Sequence, residues 1–106
     1  MGVVMEYIVN SDSVQAVNGD GHMLAEVTFP EVADGIVEIN HTFVDESLRG
    51  QGVAGELLEQ AVAAIEHNGR LARPTCTYAI HWFEKHPERH NLLAPDADPD
   101  SEQDAS

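Results

Sequence analysis

Lysine is nearly absent from this chain. Lys85 is the only one, and with the arginines it brings the basic total to 5 against 19 acidic residues in 106. The formal net charge is −14. A surface of that sign repels DNA, RNA and anionic lipid at long range and attracts cations, amines among them. Adaptation to a high-salt cytoplasm explains the same charge, because acidic side chains hold water and salt screens their mutual repulsion. Cysteine occurs once, at Cys76, which excludes an intrachain disulfide. No apolar run approaches the length of a membrane span. The start, Met1 to Glu6, lacks the basic and long apolar regions of a signal peptide, and Glu6 stands where myristoylation needs Ser or Thr. The expectation is one cytoplasmic domain with no nucleic-acid and no membrane partner. An apolar content of 42% suffices for a modest core.

Apolar and polar residues alternate in the first half of the chain. Tyr7–Val9 and Val14–Val17 read as short strands, and Met23–Phe29 as a return strand closed by Pro30. Asn18-Gly19-Asp20-Gly21 is a strong turn signal, so a hairpin is expected there. Ala33-Asp34-Gly35 is another turn, followed by the longest strand candidate, Ile36–Val44. An unbroken pleat over that strand places Val37, Ile39, His41 and Phe43 on one face, with Glu38, Asn40 and Thr42 on the other. From about Gly52 to His67 the period changes to that of a helix, with Ala54, Leu57, Leu58, Ala61, Val62 and Ile65 on one stripe. Asn68-Gly69 is a left-handed helix stop. Leu71–Arg73 reads as a strand limited by Pro74. Thr77 is a candidate cap for a helix over Tyr78–His86, stopped by Pro87. The expected folded domain is 1–87. Residues 88–106, rich in Asp, Glu, Pro, Ala and Ser, read as an acidic disordered tail.

Chemistry concentrates between the longest strand and the first helix, in Leu48-Arg49-Gly50-Gln51-Gly52-Val53-Ala54. A strand, a glycine-rich turn and a helix start leave backbone N–H groups pointing outward without partners. The helix dipole favours negative charge there, so the place suits a phosphate or pyrophosphate. Arg49 adds a forked cation. Two familiar nucleotide motifs do not fit. A Walker loop needs Gly-Lys-Ser/Thr, and the dinucleotide fingerprint needs three glycines after the first strand of a parallel unit.

Arg49-Gly50-Gln51-Gly52-Val53-Ala54 matches the Gln/Arg-x-x-Gly-x-Gly/Ala signature of the GNAT N-acetyltransferases at every fixed position. With His41–Gly52, Cys76-x-Tyr78 and Trp82-Phe83-x-x-His86-Pro87, the chain resembles short single-domain GNAT proteins of the YjdJ type over about Tyr7 to Glu88. The resemblance implies an α+β fold, a minimal GNAT-like arrangement of antiparallel meander followed by helix, strand and helix. It implies acetyl-CoA as cofactor. Amides from Arg49 through Ala54 (Arg49, Gly50, Gln51, Gly52, Val53, Ala54) would hold the pyrophosphate, and the pantetheine arm would lie along the strand ending at Phe43 and Val44. The implied activity is transfer of acetyl to a small-molecule or protein amine. The alternative is a non-catalytic acyl-CoA-binding module. The helical segments that usually shape the acceptor site after the first strand are missing here.

Amine acetylation requires a base for the ammonium and an acid for the departing thiolate. His41 carries an imidazole, the commonest general base, and precedes Val44 by three residues, yet its apolar neighbours also fit a core histidine. Glu38 is the better base if the thioester lies on its face. Cys76, before the last helix, reads either as a helix-terminal thiol, able to protonate the thiolate or carry an acetyl group, or as a small buried hydrophobe. Tyr78 is the other candidate acid. His81, His86 and His90 match no zinc spacing, so no metal is expected. Trp82 and Phe83 read as core.

Overall fold

The computed structural model describes residues 5–95. The strands are β1 (Glu6–Val9), β2 (Ser13–Val17), β3 (Met23–Thr28), β4 (Glu31–Ala33), β5 (Ile36–Ile39), β6 (His41–Val44) and β7 (Leu71–Pro74). The helices are α1 (Val53–His67) and α2 (Thr77–Glu84), with 3-10 turns at Glu46–Leu48 and Pro87–Leu92. The strands form two sheets, ordered β1-β2-β3-β6 and β4-β5-β7. All pairs are antiparallel except β5 with β7, which are parallel and have β6, the Glu46–Leu48 turn and α1 between them in the chain. The expected α+β meander followed by helix, strand and helix is therefore the architecture observed.

Local chemistry explains most of the elements. The β2–β3 hairpin closes through Asn18, whose side-chain oxygen accepts from the Asp20 and His22 amides. In α1, Leu57, Leu58, Ala61, Val62 and Ile65 recur at helical spacing and are buried against the sheet. Full burial of each large aliphatic side chain contributes about 1.5–3 kcal/mol. The facing core is Val14, Ala16, Ala25, Val27, Phe29, Val37 and Ile39. Helix α1 stops at Asn68, and Gly69 follows at φ +69°.

The longest expected strand is two strands. Asn40 interrupts Ile36–Val44, and the pairing partner changes there. The Ile39 carbonyl accepts from the Thr75 and Cys76 amides, at 3.0 and 3.2 Å, while the Asn40 amide turns to the Thr28 carbonyl at 3.2 Å. The Thr28 hydroxyl donates to the Asn40 side-chain oxygen at 2.6 Å. The buried parity shifts as a result. Val37 and Ile39 are buried before the break. After it Val44 is buried and Thr42 half-buried, while His41 and Phe43 are exposed. The unbroken-pleat expectation that grouped His41 and Phe43 with Val37 is corrected by this one residue.

Three other boundaries differ from expectation. β4 was not foreseen, since its three residues are all exposed and carry no alternation. Helix α2 begins at Thr77, so Cys76 and not Thr77 is its N-cap, and it ends at Glu84. The folded unit continues past Pro87. Leu92, Leu93 and Ala94 are buried, Leu93 bridges Ala72, and the Ala94 amide donates to the Ala72 carbonyl at 2.8 Å. The Leu-Leu-Ala triplet adds an apolar rung beside β7 inside an acid-rich stretch, and composition averaged over that stretch hides it. The remainder of the expected tail, 96–106, lies outside the described residues.

Candidate functional site

The break at Asn40 opens the site. β5 stays with β7, β6 stays with β3, and beyond Ile39 the two parts of the sheet separate. The β6 edge facing away from β3 pairs with no strand among the described residues. β6 runs directly into the loop that carries the glycine signature.

That loop is built by short-range hydrogen bonds. Asp45 caps the Glu46–Leu48 turn by accepting from the Ser47 amide at 3.0 Å and from the Ser47 hydroxyl. These bonds stabilise the carboxylate and hold the Asp45 pKa below its ordinary value, with a smaller contribution from the Arg49 charge. The Gln51 side chain donates to the Ser47 carbonyl at 3.2 Å and closes the loop from the other side. Gly50 and Gly52 hold φ of +83° and +76°, a region that side chains disfavour. Gly52 is the N-cap of α1 and supplies no side-chain cap.

The amides divide into two groups. Those of Arg49 and Gln51 donate to the Glu46 and Leu48 carbonyls, both at 3.2 Å. Those of Gly50, Gly52, Val53, Ala54 and Gly55 have no acceptor among the described residues. Five N–H groups without acceptors thus gather at the positive end of a 15-residue helix, where the helix dipole favours negative charge. Arg49 beside them is exposed and forms no ion pair with a described residue. The cavity here, about 220 Å³, is lined by Val44, Leu48, Arg49, Gly50, Gly52, Ala54 and Tyr78.

Tyr78 and Ala54 also border a second hollow of about 520 Å³ between α1 and α2. Its walls include Glu59, His81, Lys85 and His86. Sequence reasoning missed this groove, because its walls come from two helices separated in the chain by β7.

The candidate acid–base groups are now located. Cys76 Sγ accepts from the Ala79 amide at 3.4 Å and lies 3.2 Å from the Thr42 hydroxyl, so the thiol is at the mouth of the splay against β6. Thr42 was not foreseen. Its face on the strand depends on the parity shift at Asn40. Tyr78 stands 48% exposed on the wall of the cradle cavity. His41 is exposed, so the core-histidine reading is excluded. Glu38 is half-buried and accepts from the Thr75 hydroxyl at 3.1 Å. Glu38 and His41, expected on opposite faces, lie on the same side once the parity shift is counted. Phe43 is 38% exposed on that side, while Val44 is buried on the other. His86 and His90 bond the Trp82 and Phe83 carbonyls, both at 2.7 Å. A carbonyl only accepts, so each of those ring nitrogens carries a proton and closes the end of α2. Trp82 and Phe83 are buried, with rings edge-to-face at 5.1 Å, which matches their reading as core.

The comparisons agree with this geometry. The family model described as GCN5-related N-acetyl-transferase matches residues 13–92. A GCN5-like protein from Staphylococcus aureus shares 27% identity, with a TM-score of 0.68 over 84% of this chain and 87% of its own. The IAA acetyltransferase from Bacillus cereus shares 19% identity, with a TM-score of 0.59 over 79% of this chain and 75% of its own. The ribosomal-protein-S18-alanine N-acetyltransferase from Escherichia coli shares 20%, with a TM-score of 0.56 over 74% of this chain and 50% of its own. No curated protein matches the chain in sequence. The mixed α+β fold is that of these acetyltransferases, and with the family model matched over residues 13–92 this chain belongs to the GCN5-related N-acetyltransferase family.

Proposed function

We propose that this chain transfers an acetyl group from acetyl-CoA to an amine. The observation that carries the reading is the set of five free amides at Gly50 and Gly52–Gly55, opening onto the end of the splayed strand. These amides and the Arg49 guanidinium would hold the pyrophosphate. The open edge of β6, ending at Phe43 and Val44, offers unpaired backbone groups to the amide-bearing pantetheine arm. The groove past Ala54 and Tyr78, with Lys85 and His81 on its wall, suits the nucleotide end. Acetyl-CoA supplies the acetyl group as a thioester, open to direct attack by an amine.

The chain's own groups then divide the proton work. Glu38 or His41 removes the ammonium proton, directly or through water. The Cys76 thiol, beside the Thr42 hydroxyl, or the Tyr78 hydroxyl donates a proton to the leaving thiolate. Among the described residues no helix is long and apolar enough to cross a membrane, and a cytoplasmic site of action is part of the proposal.

The test is a paired assay of the full chain. Acetyl-CoA should raise Tm, and free CoA thiol should be released when an amine is added. A Tm indifferent to saturating acetyl-CoA contradicts the proposal. A rise in Tm with no thiol release from any amine tried makes the chain a binding module.

A further inference from the structure

Among the described residues one face of the four-stranded sheet is open. Val14, Ala16, Ala25 and Val27 turn to α1, and α2 packs beside α1 on that same side. The cross-strand register gives the composition of the opposite face. Ile8 pairs Gln15, Gln15 pairs Glu26, and Glu26 pairs Phe43, so these four form one row across the sheet. Thr28 and His41 form part of the next row, and Glu6 with Val17 flank the other side. Ile8 and Phe43 are 42% and 38% exposed, and His41 is exposed. No described helix covers this face.

Charge and shape identify what it fits. None of the four strands contains lysine or arginine, while Glu6 and Glu26 lie on the open face. Gln15 Nε2 donates to Glu26 Oε2 at 3.0 Å and fixes that carboxylate beside its cross-strand neighbour Phe43. A fixed carboxylate next to an exposed aromatic ring suits an ammonium group, through Coulomb attraction and the ring's negative face. Four strands at about 4.8 Å spacing give a flat span of about 14 Å, wide enough for a segment of chain. A second copy, RNA or an anionic membrane would each meet like charge, given the net −14. β6 is shared between this face and the splay, so an amine held over Phe43 is next to the strand proposed to carry the acyl arm.

We infer that this face docks the acceptor, and that the acceptor is a basic polypeptide segment whose lysine ammonium sits over Phe43 against Glu26. The inference rests on the acetyltransferase reading above.

A fluorescein-labelled oligolysine peptide tests it by anisotropy, against Glu26→Gln, Phe43→Leu and the charge-matched control Glu84→Gln on α2. The expected result is weakening of about fivefold for E26Q and about threefold for F43L, with E84Q unchanged. A peptide with acetylated lysines should bind far more weakly. Equal weakening by E26Q and E84Q would mean diffuse attraction to an acidic exterior and overturns the proposal. So does equal binding of the acetylated peptide, or binding of spermidine but not of the peptide. The Tm response to acetyl-CoA, measured on the same proteins, separates the two readings. A parent with no response overturns the acetyltransferase reading. A parent that responds normally, with peptide binding indifferent to E26Q, overturns the docking face alone.

Discussion

Gly52→Ala tests the cradle against a matched control at the other end of the same helix. Gly52 holds φ +76° and Gly69 holds φ +69°, and a Cβ built on either meets no heavy atom within 4 Å. Neither substitution creates a clash, so each costs only the strain of a side chain in the left-handed region, about 1–2 kcal/mol. In a domain this small each kcal/mol lowers Tm by about 4–8 °C, and the two variants should lose equal stability. Cofactor affinity should separate them. The new methyl at position 52 lies among the five free amides, where it holds an anion away from at least one of them. One charge-assisted hydrogen bond is worth about 1.5–3 kcal/mol, which is a tenfold to hundredfold rise in Kd. Gly69 lies beyond the far end of α1, whose 15 residues span about 22 Å, and its substitution should leave Kd unchanged. Calorimetric titration with acetyl-CoA reads both. If Gly52→Ala binds like the parent, or both variants weaken alike, the cradle reasoning is refuted.

Further predictions follow from other residues. Arg49→Ala should raise the acetyl-CoA Kd by about tenfold and flatten its dependence on salt, measured by titration at two ionic strengths, with Tm unchanged because Arg49 makes no ion pair within the described fold. Asp45 has a carboxyl held below its ordinary 3.8 by the Ser47 bonds. Its contribution to loop order is therefore full above 3.8 and is lost as pH falls through the lower folded-state value. The Ser47 amide shift should titrate with a midpoint below 3.8, and a midpoint at or above it contradicts the assignment. Leu57→Ala removes a fully buried side chain facing the sheet and should cost about 2–5 kcal/mol by chemical denaturation. Leu93→Ala should cost at least about 2 kcal/mol, whereas a disordered segment beginning at Glu88 predicts none.

The sequence was most informative where one interaction range dominates. The α1 stripe, the Asn18 turn and the Gly69 stop are local, and each is found where its residues stand. The glycine signature was legible for the same reason, although only the loop geometry shows that the Arg49 and Gln51 amides are already engaged and that Gly55 joins the free set. What was hidden depends on long-range pairing. The Asn40 break arises because Ile39 is bonded by Thr75 and Cys76 while Asn40 is bonded by Thr28. No pattern within Ile36–Val44 reports on those partners. That single residue reverses the faces of His41, Phe43 and Thr42, and with them the reading of which groups share a site. The burial of Leu92–Ala94 escaped because the apolar triplet is too short to outweigh its acidic surroundings.

The most direct test of the central claim is an amide-resolved NMR titration of the full chain with CoA. The account predicts that the largest shifts fall on Gly50 and Gly52–Gly55, with smaller ones at Arg49 and Gln51, whose amides stay bonded to the loop. Unmoved resonances for Gly50 and Gly52–Gly55 at saturating CoA would contradict it, whatever else in the spectrum changes.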